Sequence, residues 1–376
     1  MSLQTIVLAL TILFAYTVNE QYFALGRYFI LPVCTIITGT VTLIFKTLKT
    51  HCFPKKNFEV FGILFFILLA ITIFQKEYNF DMVASYCMIW IMFYVCTILP
   101  YTFWEIKFLL NVYIISALIL AILLFYQLRM PYLGYFRFSV FFSDKDYYDV
   151  NFLSSYMLLP ALISFYFAWL IPWNKWSLFY GLANFVILAA ILATGSRGAL
   201  VGFCIGLFPL IKHLLRKKIL IFVLAGLCIL IYFYIPHELA ERLFLDSYND
   251  GSNSRRLDDW TYGIMAFLQH PLFGNGFSSS VDIIIRLFYQ KITAHNSFLL
   301  LLINFGIIGI IPFLSLLFKP LLCYKKSFLG IYTLTFYLAF LFNVSLIEAA
   351  TSFVFIVPMI LFFIIIRNPK PVMYVC

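Results

Sequence analysis

Apolar residues in this chain come in long unbroken blocks separated by short polar gaps, with no two-residue alternation that would mark half-buried strands. A hydrocarbon layer of roughly 30 Å takes about 20 helical residues, and on that measure twelve spans are predicted. They cover residues 2–18, 28–45, 59–74, 82–99, 108–126, 152–171, 176–193, 198–215, 219–235, 297–318, 328–346 and 350–366. The first block has no basic leader and no small-residue cleavage site, so it reads as a retained span. The expected fold class is therefore all-α, a single polytopic membrane domain over 1–376.

Two stretches interrupt the blocks. Residues 127–151 form a shorter loop rich in aromatic and charged side chains, and residues 236–296 form a loop far longer than a helix connection needs. Inside the long loop the turn-rich Tyr248–Ser254 is followed by apolar residues at Leu257, Trp260, Ile264, Phe267 and Leu268. Spacings of three and four predict one amphipathic helix. Asn253 or Ser254 is its expected N-cap, Arg255 and Arg256 fall in its first turn, and Asp258 and Asp259 follow near the positive end of its dipole. His270-Pro271 and Gly274-Asn275-Gly276 should stop it.

Composition closes off other classes. Hydrophobic residues make up 64% and charged residues 11% of the 376, where a soluble domain is about half apolar and about a quarter charged. The net charge of +10 is scattered through the gaps and does not form a nucleic-acid surface, so no nucleic-acid partner is expected. With a cytoplasmic N-terminus the inner loops collect Lys46, Lys49, Lys55, Lys56, Lys107, Lys175, Lys212, Arg216, Lys217, Lys218, Lys319, Lys325, Lys326, Arg367 and Lys370. The short outer loops hold only Arg27, Lys76, Arg129, Arg137, Lys145 and Arg197. The positive-inside rule then puts both termini in the cytoplasm and both long loops outside. Trp90, Trp104, Trp169, Trp173 and Trp176 are expected at the interfaces. The eight cysteines follow no ligand or disulfide spacing.

The predicted span interiors carry no Asp, Glu, Lys or Arg away from their ends, which argues against an ion-coupled carrier. Chemistry is expected at the outer face instead. Arg197 lies in Thr194-Gly195-Ser196-Arg197-Gly198 between two apolar runs, the second of them short for the bilayer. Either it anchors a hairpin at the interface, or its planar fork and the turn's N–H groups hold an anion. Arg255 and Arg256 either pair with Asp246, Asp250 or Asp258, or join an anion at a helix start. His295 either caps the tenth span or, as a neutral imidazole, takes a proton from a hydroxyl. Arg137, Asp149, Asn151 and Asp259, together with nearby tyrosines, suit a carbohydrate, though aromatics mixed with carboxylates and amides suit any interfacial loop.

Residues 193–203 (ATGSRGALVGF), Arg256 to Trp260, residues 270–277 (HPLFGNGF) and residues 294–309 (AHNSFLLLLINFGIIG), in that order and topology, resemble the bacterial O-antigen polymerase and O-antigen ligase superfamily. Residues 149–152 (DVNF) are similar to that family's Asp-Pro-Asn segment with Val150 in place of proline. The resemblance implies metal-independent glycosyl transfer, with no cofactor, at the outer face of the bacterial inner membrane. The donor would be a glycan on undecaprenyl diphosphate, held by Arg197 and by Arg256 or its neighbour Arg255, and His295 would activate the acceptor hydroxyl. The expected activity is polymerase, with a second lipid-linked repeat unit as acceptor and a chain-length regulator protein among the partners. Ligase activity toward lipid A-core is the alternative, and a lipid-linked oligosaccharide flippase the remote one.

Overall fold

A computed structural model describes residues 1–14, 24–25, 28–50, 59–73, 80–131, 137–141, 147–171, 175–208, 252–327, 329–347 and 353–367. Its helices are α1 (Leu3–Phe14), α2 (Ile30–Thr50), α3 (Glu59–Ile73), α4 (Phe80–Ile98), α5 (Phe103–Gln127), α6 (Val150–Phe165), α7 (Ser177–Ala193), α8 (Arg197–Leu207), α9 (Ser252–Gln269), α10 (Ser280–Phe288), α11 (Ser297–Cys323), α12 (Ile331–Val344) and α13 (Phe353–Arg367). Extended pairing among the described residues is limited to the two-residue antiparallel pairing of Ala24–Leu25 with Tyr28–Phe29 and the isolated bridges Arg129–Ser139 and Phe141–Tyr147; the rest is helices and their connecting loops. The protein is an all-α polytopic membrane protein. Among the described residues, α2, α5, α6 with its continuation to Leu170, and α11 are each long and apolar enough to cross a membrane. Eleven of the twelve predicted spans contain a helix, the first of them described only to Phe14 and the eighth with a helix to Leu207; residues 15–18, 209–215 and the ninth span, 219–235, lie outside the described residues.

The chain divides into two compact units. The first comprises residues 1–113, 256–333 and 344–376, and the second residues 114–255 and 334–343. In the first, α2 packs on α1 and α4, α3 on α4 and α11, and α13 on α4 and α11. Trp90 sits at the heart of this unit, 1% exposed, with its ring edge-on to Phe313 and Phe355. The interfacial position expected for it is thus incorrect. Residue 90 falls midway along α4, where a large ring fills core volume; among the described tryptophans, Trp104 and Trp176 are exposed and Trp169 is half-buried, while Trp173 lies outside the described residues. Near the start of α5, Thr102 and Glu105 form a reciprocal cap. The Thr102 N–H donates to Glu105 Oε2 at 2.9 Å and the Glu105 N–H donates to Thr102 Oγ1 at 3.3 Å. Glu105 also accepts from the Ser2 N–H at 2.7 Å, and Lys319 pairs with Glu59.

In the second unit α6 packs against α7 and α8. Gly202 and Gly206, one turn apart on α8, allow close approach. A Cβ at Gly206 would lie 2.6 Å from Leu162 of α6, the small-residue contact that brings membrane helices together. Asn184 of α7 donates through Nδ2 to the Ala161 carbonyl at 2.7 Å, so this buried amide ties α7 to α6.

Candidate functional site

The second unit contains the Arg197 turn. Helix α7 ends at Ala193. Thr194 follows in helical conformation, and Gly195 takes φ +62°, with its N–H donating to the Leu192 carbonyl at 2.9 Å. A left-handed glycine at this point is the usual way to stop a helix. Ser196, in extended conformation, then begins α8 but makes no side-chain cap, and Arg197 is the first helical residue. The first-turn N–H groups of a helix have no intrahelical acceptor, and here Ser196 does not supply one. Thr194 and Ser196 are buried, whereas Arg197 is half-exposed.

Arg137 braces this turn. Its Nε–H donates to the Thr194 carbonyl at 3.0 Å and its Nη2–H to Asn151 Oδ1 at 2.8 Å. Beside it the Phe138 N–H donates to the Ala193 carbonyl at 3.0 Å. Asn151 is fixed in turn by the start of α6, where Asp149 is the N-cap and accepts from the N–H groups of Asn151 at 2.8 Å and Phe152 at 3.2 Å. This accounts for the Asp149–Asn151 motif physically: cap, first helical residue, second helical residue. The middle position is where proline is favoured and where this chain has Val150. So Arg137, Asn151 and Thr194, far apart in sequence, come together, and Asp149 supports them from the α6 cap.

The first unit contains Arg256 and His295. Helix α9 starts at Ser252, one or two residues before the expected cap at Asn253 or Ser254. Arg255 is thus the fourth helical residue, closing the first turn, and Arg256 the fifth, just past it; the side chain of Arg255 lies outside the described set. The early start follows from the polar Ser-Asn-Ser run joining the helix and not capping it. The helix ends at Gln269, as His270-Pro271 predicted. Gly263 meets the first turn of α11 and the segment just before it: a Cβ there would lie 2.5 Å from Leu299 and 3.5 Å from Ala294. Arg256 is seven residues from Gly263 and shares its face, about 10 Å along the axis. Asp259 is buried.

His295 occupies a corner whose other members are all fixed. The Ala294 N–H donates to Ser280 Oγ at 3.0 Å. Asn296 is the N-cap of α11, its Oδ1 accepting from Phe298 at 2.9 Å and Leu299 at 3.1 Å. Ser297 Oγ donates to the Ile347 carbonyl at 2.7 Å. His295 itself is exposed and held at φ +46°, a left-handed conformation that costs about 1–3 kcal/mol outside glycine and clusters at functional sites. The capping role left open for His295 therefore belongs to Asn296.

Sequence reasoning missed what holds this corner. Helix α11 is broken at Gly306 (φ +64°, ψ −170°), and the 270–277 loop clasps the break. Ile307 N–H donates to the Pro271 carbonyl at 2.8 Å and Ile308 N–H to the Leu272 carbonyl at 3.1 Å, while Ile303 O accepts from the Asn275 N–H at 2.8 Å. The two backbones touch so closely that a Cβ at Gly306 would lie 2.4 Å from the Leu272 carbonyl, and one at Gly274 2.2 Å from the Asn304 carbonyl. Asn304 Nδ2 adds a bond to the Ser278 carbonyl at 3.0 Å, and Arg286 Nη2 one to the Asn275 carbonyl at 3.1 Å. Helix α10, also unpredicted, begins at Ser279, which caps Asp282 N–H at 3.1 Å. The Ser279-x-x-Asp282 spacing ahead of Ile283, Ile284 and Leu287 was the signal for it.

Residues 182–314 match the family model for O-antigen ligase. Over that stretch the chain is similar to the O-antigen ligase and polymerase superfamily, as its motifs indicated, and the match supports function of that type without dividing ligase from polymerase. The matched stretch contains Arg197, Arg255, Arg256, Asp259 and His295, while Arg137, Asp149 and Asn151 precede it. Among curated proteins none matches the chain.

Proposed function

We propose that this protein is a polysaccharide polymerase of the O-antigen type. It would transfer a glycan from undecaprenyl diphosphate to a sugar hydroxyl of another lipid-linked repeat unit, on the periplasmic face of the inner membrane, with both termini in the cytoplasm. The observation that carries the reading is the His295 corner, in which Ala294, Asn296 and Ser297 are held by hydrogen bonds and His295 between them is exposed at a left-handed φ of +46°.

His295 accepts the proton of the acceptor hydroxyl as its oxygen attacks the anomeric carbon. The bond from that carbon to the diphosphate oxygen breaks, and the electron pair leaves on undecaprenyl diphosphate. Negative charge grows on the leaving group. Arg197, at the N-terminal, positive end of the α8 dipole, and Arg256 supply positive charge to meet it. Arg137 acts one step back, holding the turn that presents Arg197. Asp149 and Asn151 support that brace, and Asp259 stays a glycan-facing candidate.

The description of the matching family favours a second reading, a ligase that delivers the finished glycan to lipid A-core. Deleting the gene in its host separates the two. A polymerase leaves single repeat units on lipid A-core. Loss of all surface glycan, with long lipid-linked chains accumulating, identifies a ligase and overturns the polymerase reading.

A further inference from the structure

Helix α9 carries two apolar faces, and among the described residues only one is packed into a core. Gly263 and Ala266 are buried, with Trp260 and Phe267 packed on the cluster formed by Ala266, Ile283, Ile284, Ala294, Leu299 and Ile303. The other face exposes Leu257 (62%), Ile264 (50%) and Leu268 (60%). These residues are spaced seven and four apart, so they form one stripe along the helix. Asp258 and Gln269, also exposed, lie about 100–120° around the axis from that stripe. An exposed apolar stripe beside a polar edge is the pattern of a helix lying in a membrane interface.

The clasp at Gly306 fixes the depth. Before the break α11 exposes no large apolar residue; after it Ile307 (50%), Ile311 (58%) and Phe318 stand on its outer surface. Lys319, one of the cations expected at the inner face and paired with Glu59, stands toward the opposite end of α11. From Lys319 back to Gly306 is about 20 Å of helix, less than the roughly 30 Å thickness of the hydrocarbon. The backbone bonds from Ile307 and Ile308 to Pro271 and Leu272 thus hold the end of α9 at or below the leaflet surface. Exposed Leu272 and Phe273 then make the α9 stripe continuous with the lipid-facing surface of α11.

We propose that α9 is an interfacial helix lying in the leaflet that surrounds the α11 break, with Leu257, Ile264 and Leu268 in the acyl chains and Asp258 and Gln269 toward water. This places Arg256, near the other end of α9, at headgroup level, where a lipid-borne phosphate resides. The inference rests on the membrane architecture and not on the glycosyl-transfer reading, so either can fail alone.

The test uses the full-length protein in phosphatidylethanolamine–phosphatidylglycerol nanodiscs, with an encoded fluorescent amino acid placed in turn at positions 258, 264, 268 and 269. Acyl-chain-brominated lipid should quench positions 264 and 268 at least threefold more than positions 258 and 269, and aqueous iodide should show the reverse order. Equal iodide quenching at all four positions, with no bromolipid effect at 264 and 268, puts α9 in water and overturns the proposal. Bromolipid quenching at all four equally overturns the orientation assigned to its faces.

Discussion

The starts of α8 and α11 satisfy the same need in opposite ways. Each follows a turn with a left-handed residue, Gly195 in one and His295 in the other, and each is flanked by buried neighbours. At α11 the backbone is completed internally: Asn296 accepts two first-turn N–H groups and Ser297 anchors the chain to Ile347. What faces outward there is a side chain, the imidazole. At α8 the cap residue Ser196 makes no side-chain cap, and the half-exposed group at the helix start is a guanidinium. One corner is built to present a proton acceptor, the other to present positive charge. A cap is absent at the corner assigned to a phosphate and present at the corner assigned to a base.

That difference sets the size of each expected effect. Replacing Arg197 with Ala should reduce chain extension about 10²–10³-fold, the usual loss when one charge-stabilising donor is removed. Arg197→Lys should recover only part of it, because an ammonium lacks the planar fork. Wild-type extension rates in the alanine variant would remove the α8 corner from the chemistry. Gly306→Ala should destabilise the fold by about 3 kcal/mol through its left-handed φ and the clash with Leu272, seen as a lower melting temperature in detergent. An unchanged melting temperature would mean that the clasp does not support the α11 corner.

Smaller effects sharpen the contrast. Asn296→Ala should cost about 1 kcal/mol of stability, as a lost N-cap does. Ser196→Ala should cost almost nothing, since its hydroxyl caps nothing. Paired thermal melts would read this directly, and equal losses at the two positions would erase the distinction drawn between the corners.

Much of the architecture was legible because block hydrophobicity is a strong signal: eleven predicted spans carry helices, and the stop of α9 at His270-Pro271 was read from proline chemistry. The break in α11 was not legible. Gly306 sits in an apolar run that reads as uninterrupted, and only the arrival of the 270–277 backbone, a long-range event, makes its φ necessary. Trp90 was misjudged because an aromatic near no charge looks the same at an interface and in a core. At the site, Arg197 and His295 were singled out from residue type and motif. The brace of Arg137 on Thr194 and Asn151 was hidden, since nothing local in residues 127–151 announces a partner more than fifty positions away. Asp149 likewise had a capping role that the lost proline of its motif obscured.

The most direct test separates binding from transfer at the His295 corner. Purified His295→Ala protein, reconstituted with a single lipid-diphosphate-linked repeat unit, should bind that donor within about twofold of wild type while its single-turnover transfer rate falls about 10²–10⁴-fold. Transfer at the wild-type rate would contradict the assignment of the imidazole as the proton acceptor.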